Sequence, residues 1–238
     1  NTGGEPTQGC GAVAMLVTKN PHLLAFNNDS VFYSEDVYDF WRPAGHDYPL
    51  VDGHMSNQVY IDSFTRIWEQ NKKVNHTDSS DYAALTFHLP YTKMGRKALR
   101  AIFSEMSEEE QQRLEARYDE AVVYSRQVGN LYTGSLYLGL MSLLDNGDLA
   151  AGDRIGLFSY GSGAVSEFFS MTLMDDYKTY LSIEENQALL SSRQQLSIDE
   201  YEAMFNKKLP TDGETYTFSD YTAYAINKIS GDIRYYNK

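Results

Sequence analysis

Apolar residues along this chain follow two alternating patterns, helical spacing and short continuous runs. The helical pattern is clearest at Tyr60, Phe64, Ile67 and Trp68. These four positions share one helix face and predict a helix over about 56–72. The run at 83–88 predicts a buried strand that stops before Pro90. Further strands are predicted at 23–26, 31–33, 154–159 and 164–171. Because strands and helices interleave, the sequence predicts a layered α/β fold.

Local motifs mark several helix starts. Capping boxes at 107–110 and 197–200 each place a serine three residues before a glutamate, so each side chain can bond the other residue's backbone. The first predicts a long helix over about 108–128, and Thr92 is predicted to cap a helix before it. Residues 135–144 are apolar on nearly every face and predict a centrally buried helix.

Two segments are predicted to connect or complete this framework. Residues 39–53, DFWRPAGHDYPLVDG, are rich in Pro, Gly and Asp and predict a loop. Residues 224–236 are predicted to supply a strand that closes the sheet.

Composition narrows the function classes. The net charge is −13, which argues against a nucleic-acid-binding protein. No apolar run approaches the roughly 20 residues that span a bilayer, and no signal-peptide pattern is present, so a cytoplasmic location without membrane contact is predicted. One cysteine excludes an internal disulfide framework and a cysteine-based zinc cluster, and no metal is expected.

Three features indicate chemistry. His88 ends a buried strand, where open α/β sheets place ligand sites, although a bonded core histidine is the structural alternative. Lys93, Lys97 and Arg100, with Arg96 beside them, share a helix face that suits a phosphate, or form an ordinary solvated face. Gly161 and Gly163 flank Ser162 in a turn whose N–H groups could form an oxyanion hole, or a simple hairpin. That turn lacks the G-x-S-x-G spacing of a serine nucleophile.

The segment from Gly9 to Ala14 fits G-x-G-x-x-A only formally. No strand precedes it, and the apolar residues that follow predict a strand rather than the helix that a dinucleotide site needs. Cys10 lies within this run, and a buried, inert thiol is predicted there rather than a nucleophile.

Five stretches together resemble bacterial-type 3-hydroxy-3-methylglutaryl-CoA (HMG-CoA) synthases. In the family's order they are GGEPTQGCGAVAM, YDFWRPAGHDYPLVDG, FHLPYTKMGRKAL, VGNLYTGSLYLGL and IGLFSYGSG, over about 3–163, with a looser match after about residue 201. The resemblance implies a thiolase-like αβαβα layered fold. It assigns 1–20 to the end of an N-terminal half, 21–55 to connecting strands and a substrate-pocket loop, and 56–238 to the C-terminal half.

The resemblance also implies a reaction. A cysteine takes an acetyl group from acetyl-CoA, a glutamate deprotonates its methyl group, and the carbanion attacks acetoacetyl-CoA to give HMG-CoA in the mevalonate pathway. Both of those residues are expected upstream of this chain, so the chain alone is expected to be inactive. The CoA thioesters are substrates, no cofactor is implied, and a homodimer is expected.

Site residues follow from the same resemblance. His88 is implied to polarise the accepting ketone and supply its proton, Asn130 to hold the acetoacetyl thioester, and Ser162 to donate its backbone N–H to the oxyanion hole. Substrate contacts are implied at Thr7, Asp39, Phe40, Ser56, Lys93, Lys97, Tyr132 and Gly161. Two alternatives remain open: another thiolase-fold condensing enzyme, such as a ketoacyl carrier-protein synthase, and a non-catalytic CoA-binding subunit.

Overall fold

The computed structural model of the chain describes residues 4–237, so residues 1–3 of the predicted first segment and residue 238 lie outside the description. The chain divides into two compact units between Leu190 and Ser191. The predicted boundaries at residues 20 and 55 remain predictions.

The helices of the first unit are α1 (Gly53–Asn75), α2 (Met94–Ala101), α3 (Glu108–Ala121), α4 (Ser125–Val128), α5 (Gly134–Asn146) and α6 (Ile183–Ser191), which ends at the division. Its strands are β1 (Leu24–Phe26), β2 (Val31–Ser34), β3 (Phe40–Trp41), β4 (Leu50–Val51), β5 (Ala84–Phe87), β6 (Arg154–Gly161) and β7 (Val165–Leu173).

One mixed sheet organises the first unit. Strand β5 runs parallel to β6, and β6 pairs antiparallel with β7 from Arg154↔Thr172 to Gly161↔Val165. Strands β1 and β2 both pair antiparallel with β7, at its two ends. The strands predicted at 23–26, 31–33, 83–88, 154–159 and 164–171 are therefore confirmed. The predicted loop at 39–53 also contains a short antiparallel pair, β3 with β4.

Helices cover both faces of this sheet. Neighbouring residues of a strand point to opposite faces, so Leu157 joins the core built on α5 while Phe158 joins the core built on α1 and α2. The four predicted apolar residues of α1 are all buried in the latter core. Helix α5 is buried along most of its length, as its apolar sequence predicted. This layering confirms the predicted α/β class.

Both predicted capping boxes are present. Ser107 and Glu110 open α3, and Ser197 and Glu200 open α7 (Ile198–Phe205). The predicted Thr92 cap is wrong: α2 begins at Met94 after Lys93, without a side-chain cap, and the Thr92 carbonyl accepts a hydrogen bond from Tyr118.

The long helix predicted over 108–128 is interrupted. Its Glu120 carbonyl and Tyr124 N–H would normally bond each other. Instead, Ser142 Oγ lies between them, donating to Glu120 O at 2.6 Å and accepting from Tyr124 N at 3.3 Å. A side chain inserted into the ladder breaks the helix, so the segment forms α3 and α4.

The second unit contains α7 (Ile198–Phe205) and the strands β8 (Thr215–Thr217), β9 (Ile226–Ser230) and β10 (Ile233–Tyr236). These three strands form their own antiparallel sheet. The prediction that 224–236 closes the main sheet is therefore wrong. Gly231 and Asp232 both have positive φ, a turn geometry that folds the segment back into a hairpin instead.

The apolar run after Cys10 differs from its prediction. It forms no strand, and Met15, Leu16 and Val17 are exposed. A strand needs a hydrogen-bonded neighbour for its backbone, and no described residue provides one there. Cys10 is likewise exposed, so the prediction of a buried thiol is wrong. Across residues 4–237, no helix is both long and apolar enough to cross a bilayer.

Candidate active site

A cavity of about 510 Å³ lies where the end of β5, the start of α1, the loop before α5 and the β6–β7 hairpin meet. It brings together most of the predicted site residues. Those that line it are Thr7, Phe40, Ser56, His88, Asn130, Tyr132, Gly161 and Ser162. Three do not line it: Asp39 lies buried behind the wall, Lys93 is exposed just before α2, and Lys97 is exposed on α2.

The backbone of His88 fixes its place in the cavity wall. Its N–H donates to the Phe158 carbonyl at 2.8 Å, which extends the β5–β6 ladder by one residue. Its carbonyl accepts a 2.6 Å hydrogen bond from the Tyr60 hydroxyl. The imidazole is buried, yet Nδ1 has no hydrogen-bond partner among residues 4–237. An unpaired buried nitrogen costs stability, so this ring does not fit the alternative of a fully bonded core histidine.

Burial lowers the pKa of His88 to about 4, and the nearby Tyr132 backbone offsets only part of that shift. The imidazole is therefore neutral at about pH 7. A neutral imidazole carries one N–H donor and one acceptor nitrogen. Such a ring can polarise a carbonyl by donating a hydrogen bond without adding a net charge.

Asn130 presents a defined end of its amide. It follows Gly129 and precedes α5, and its Oδ1 accepts from the Tyr132 N–H at 2.7 Å and from Ser135 Oγ at 3.1 Å. Nδ2 has no hydrogen-bond partner in the described part of the chain. Because the oxygen is already bonded, the amide offers the cavity its N–H groups, which suit a carbonyl oxygen.

Two facing glycines let the segment before Cys10 reach this site. The Asn130 N–H donates to Thr7 O at 2.9 Å, and the Gly9 N–H donates to Asn130 O at 2.9 Å. A Cβ on Gly9 would lie 2.6 Å from the Val128 carbonyl oxygen, and one on Gly129 would lie 2.8 Å from the Gln8 carbonyl oxygen. Glycine is therefore required on both sides, and the contact carries Thr7 to the cavity.

Asp39 joins three parts of the site from behind. Its Oδ2 accepts from Ser56 Oγ at 2.9 Å, Tyr160 Oη at 3.0 Å and Ser162 Oγ at 2.9 Å. Its Oδ1 accepts from the Gly163 N–H at 3.2 Å. Burial, together with the charge of Asp39, raises the pKa of Tyr160 far above its ordinary value, so the phenol remains a donor. The β6–β7 turn is thus a hairpin, and Asp39 fixes it against α1.

Only part of the predicted basic face is free. Arg96 pairs with Asp119 and Arg100 with Glu115. Lys93 and Lys97 make no ion pair within residues 4–237. Lys97 Nζ donates instead to Tyr91 Oη at 3.0 Å, and Tyr91 lines the cavity. On this face, the Lys97 ammonium group therefore lies beside a cavity wall.

Sequence reasoning missed several cavity residues. Tyr60, predicted only as part of an apolar helix face, lines the cavity, and so do Asn57, Tyr91 and Tyr160. Two of them lie inside quoted motifs: Tyr91 follows His88 by three residues, and Tyr160 precedes Ser162 by two. Tyr60 lies one helical turn after Ser56, so the helix period alone would have placed both on one face.

Known proteins share this sequence and fold. The family model "Hydroxymethylglutaryl-coenzyme A synthase C terminal" matches residues 25–117 and 100–223. The hydroxymethylglutaryl-CoA synthase of Enterococcus faecalis is 56% identical over 237 residues, which cover 99% of this chain and 62% of that protein. A crystal structure of HMG-CoA synthase complexed with CoA aligns with a TM-score of 0.92 and 38% identity, over 100% of this chain and 62% of that one. MvaS in complex with 3-hydroxy-3-methylglutaryl coenzyme A aligns with a TM-score of 0.80 and 33% identity, over 100% and 63%.

These structural neighbours confirm the predicted thiolase-like α/β class. The sequence matches are more specific than the fold. The chain belongs to the HMG-CoA synthase family, as its motifs indicated, and it spans about three-fifths of the length of the relatives named above.

Proposed function

We propose that the full-length protein containing this chain condenses acetyl-CoA with acetoacetyl-CoA to give 3-hydroxy-3-methylglutaryl-CoA. One observation carries the proposal: a neutral His88, the Asn130 amide N–H groups and the Gly161–Ser162 turn line a single cavity in a chain of this family. Two hydrogen-bond donors and a glycine-rich turn around one volume suit a substrate with two carbonyl groups.

The reaction begins outside this chain. In the rest of the protein, a cysteine takes the acetyl group from acetyl-CoA and releases CoA-SH, and a glutamate removes a proton from the acetyl methyl group. The resulting carbanion attacks the ketone carbon of acetoacetyl-CoA, a C–C bond forms, and the ketone π electrons move to oxygen. Water then cleaves the thioester to the cysteine and releases the product.

Residues of this chain serve the second substrate. His88 donates a hydrogen bond to the ketone oxygen and passes its N–H proton to the alkoxide as the C–C bond forms. The ring regains a proton from those released at the glutamate and in the hydrolysis of the thioester. Asn130 Nδ2 donates to the thioester carbonyl of the acetoacetyl group. The Ser162 backbone N–H, at the Gly161 turn, stabilises the oxyanion that forms on the acetyl-cysteine. Thr7, Phe40, Ser56 and Tyr132 complete the walls that contact substrate, with Asp39 behind them.

The setting of the enzyme is part of the same proposal. It acts in the mevalonate route of isoprenoid biosynthesis, in the cytoplasm, as a homodimer. It uses CoA thioesters as substrates and needs no further cofactor or metal. Lys93 and Lys97 contact the CoA phosphates beside the cavity.

Intact-mass spectrometry tests the proposed reaction. The full-length protein should gain one acetyl group on incubation with acetyl-CoA, and acetoacetyl-CoA should remove it as 3-hydroxy-3-methylglutaryl-CoA appears. This chain alone should gain no acetyl group. A full-length protein that is never acetylated, or that is acetylated without forming this product, would contradict the proposal.

Replacing Lys97 with alanine should raise KM for the CoA substrates more than it lowers kcat. An exposed ion pair to phosphate contributes about 1 kcal/mol, so KM should rise about fivefold. Binding shared by ground state and transition state affects KM rather than kcat. Arg100→Ala is the matched control, since Arg100 lies on the same helix but pairs with Glu115. An unchanged KM in Lys97→Ala, or an equal rise in Arg100→Ala, would contradict the proposed phosphate contact.

A further inference from the structure

Helix α5 contains a buried serine whose hydroxyl is linked to the cavity wall through Asn130. Ser135 is fully buried. Its Oγ donates to Asn130 Oδ1 at 3.1 Å and accepts from the Leu131 N–H at 2.8 Å. The hydroxyl is the donor in the first bond and the acceptor in the second, so its single proton is used in the bond to Asn130.

This bond decides which end of the Asn130 amide faces the cavity. The Tyr132 N–H also bonds Oδ1, at 2.7 Å. The oxygen is therefore held on two sides, by a backbone donor and by Ser135. With Oδ1 held, Nδ2 is the part of the amide left for a substrate carbonyl. If the amide turned over, an oxygen would face that carbonyl and repel it.

We propose that Ser135 is a positioning residue for the condensation, and that its hydroxyl fixes Asn130 with Nδ2 directed to the acetoacetyl thioester. This inference rests on the proposed function of Asn130. It adds a residue outside the cavity wall, which acts on the substrate through a neighbour.

The test is a double-mutant cycle in the full-length enzyme, with Ser135→Ala, Asn130→Ala and the double variant. Condensation is followed from pre-acetylated enzyme with acetoacetyl-CoA, and acetylation by acetyl-CoA is followed separately. Ser135→Ala should slow condensation about tenfold, the order of effect expected from misplacing a substrate-binding group, and leave acetylation unchanged. In the Asn130→Ala background the same substitution should have almost no further effect, because Ser135 acts only through Asn130.

Ser142 supplies a matched structural control. It is also fully buried on α5 and also makes two hydrogen bonds through its hydroxyl, to Glu120 and Tyr124. Ser142→Ala should lower the thermal midpoint about as much as Ser135→Ala without slowing condensation. If Ser135→Ala proves unstable, Ser135→Cys keeps the side-chain volume with only a weak donor and gives the same comparison.

Each result bears on one proposal or the other. Equal slowing by Ser135→Ala in both backgrounds, or equal slowing by Ser142→Ala, overturns the positioning role. If Asn130→Ala condenses normally, the role proposed for Asn130 fails, and that of Ser135 fails with it. If the wild-type enzyme binds acetoacetyl-CoA but makes no product, the proposed reaction is wrong but the role of Ser135 can still be tested. The double-mutant cycle is then repeated with the Kd of acetoacetyl-CoA as the measured quantity. There, a loss of affinity in Ser135→Ala that vanishes without Asn130 supports the inference, and no loss overturns it.

Discussion

Replacing His88 with alanine in the full-length enzyme is expected to leave acetylation intact and to slow condensation by about 100- to 10,000-fold, the range for loss of a general acid. The reason is that the two steps depend on different residues. In the proposed reaction, the first step needs the cysteine, whereas His88 serves the ketone of the second substrate. Single-turnover measurement separates the two steps, first with acetyl-CoA alone and then with acetoacetyl-CoA added to acetylated enzyme.

A second histidine variant controls for a nonspecific effect of replacing a histidine with alanine. His22 is exposed and stacks on Tyr180, away from the cavity wall, so His22→Ala should leave both steps near the wild-type rate. Equal collapse of acetylation and condensation in His88→Ala would show that His88 serves the first step too, or that the cavity has lost its shape. Either result would contradict the role assigned to it.

Local patterns in the sequence predicted most elements of the first unit correctly. The face formed by Tyr60, Phe64 and Trp68 predicted α1 because helix period is a property of neighbours in sequence. The capping box at Ser107 succeeded for the same reason, since both partners lie within four residues. Strand β5 was predicted from its apolar run, and it brings His88 to the carboxyl end of the sheet.

The failures occur where distant residues decide. The break between α3 and α4 depends on Ser142, which reaches in from α5 and leaves no local mark in the 108–128 segment. The run after Cys10 has the composition of a strand but no described partner to pair with. The hairpin at Gly231–Asp232 is the exception, because its positive-φ turn was a local feature that the strand prediction for 224–236 overlooked.

The same contrast between local patterns and distant contacts holds for the site. Motif resemblance proposed eight residues that line one cavity, yet it did not indicate how they are fixed. The chain has 19 tyrosines, and four of them, Tyr60, Tyr91, Tyr132 and Tyr160, line that cavity. A tyrosine buries a large ring and still offers a hydroxyl, which suits a wall that must be both apolar and bonded. Composition showed the excess of tyrosine but could not place it.

Substituting Asp39 with alanine should both destabilise the first unit and abolish most activity of the full-length enzyme. The carboxylate is fully buried and accepts four hydrogen bonds, three of them from residues 121 to 124 positions away along the chain. Its removal leaves buried donors without an acceptor, and we expect a loss of about 3 kcal/mol in the free energy of unfolding. The turn carrying Ser162 loses its tie to α1, so condensation should fall by about 100-fold or more. Urea denaturation and steady-state kinetics measure the two effects.

Asp39→Asn should be much milder, because hydroxyl groups can reverse their role. If Oδ1 of the new amide continues to accept from the Gly163 N–H, its Nδ2 faces three hydroxyl oxygens, and its two N–H groups can donate to two of them once those hydroxyls turn to accept. We expect a loss of about 1 kcal/mol and a retained hairpin. An asparagine variant as unstable as the alanine variant would show that the negative charge, rather than the bonding pattern, holds the network.

The Asp29→Ala variant is a control that separates a loss of stability from a loss of catalysis. It is also nearly buried and also accepts several hydrogen bonds, from Ser170 and Arg154, but it does not line the cavity. Asp29→Ala should therefore cost comparable stability while acetylated enzyme still condenses at a near-normal rate below its unfolding midpoint. If Asp29→Ala lost activity as fully as Asp39→Ala, the effect at Asp39 would reflect instability alone. If only Asp39→Ala loses condensation, the buried carboxylate holds the Ser162 turn in its active position, because stability loss is matched and only the link between that turn and α1 differs.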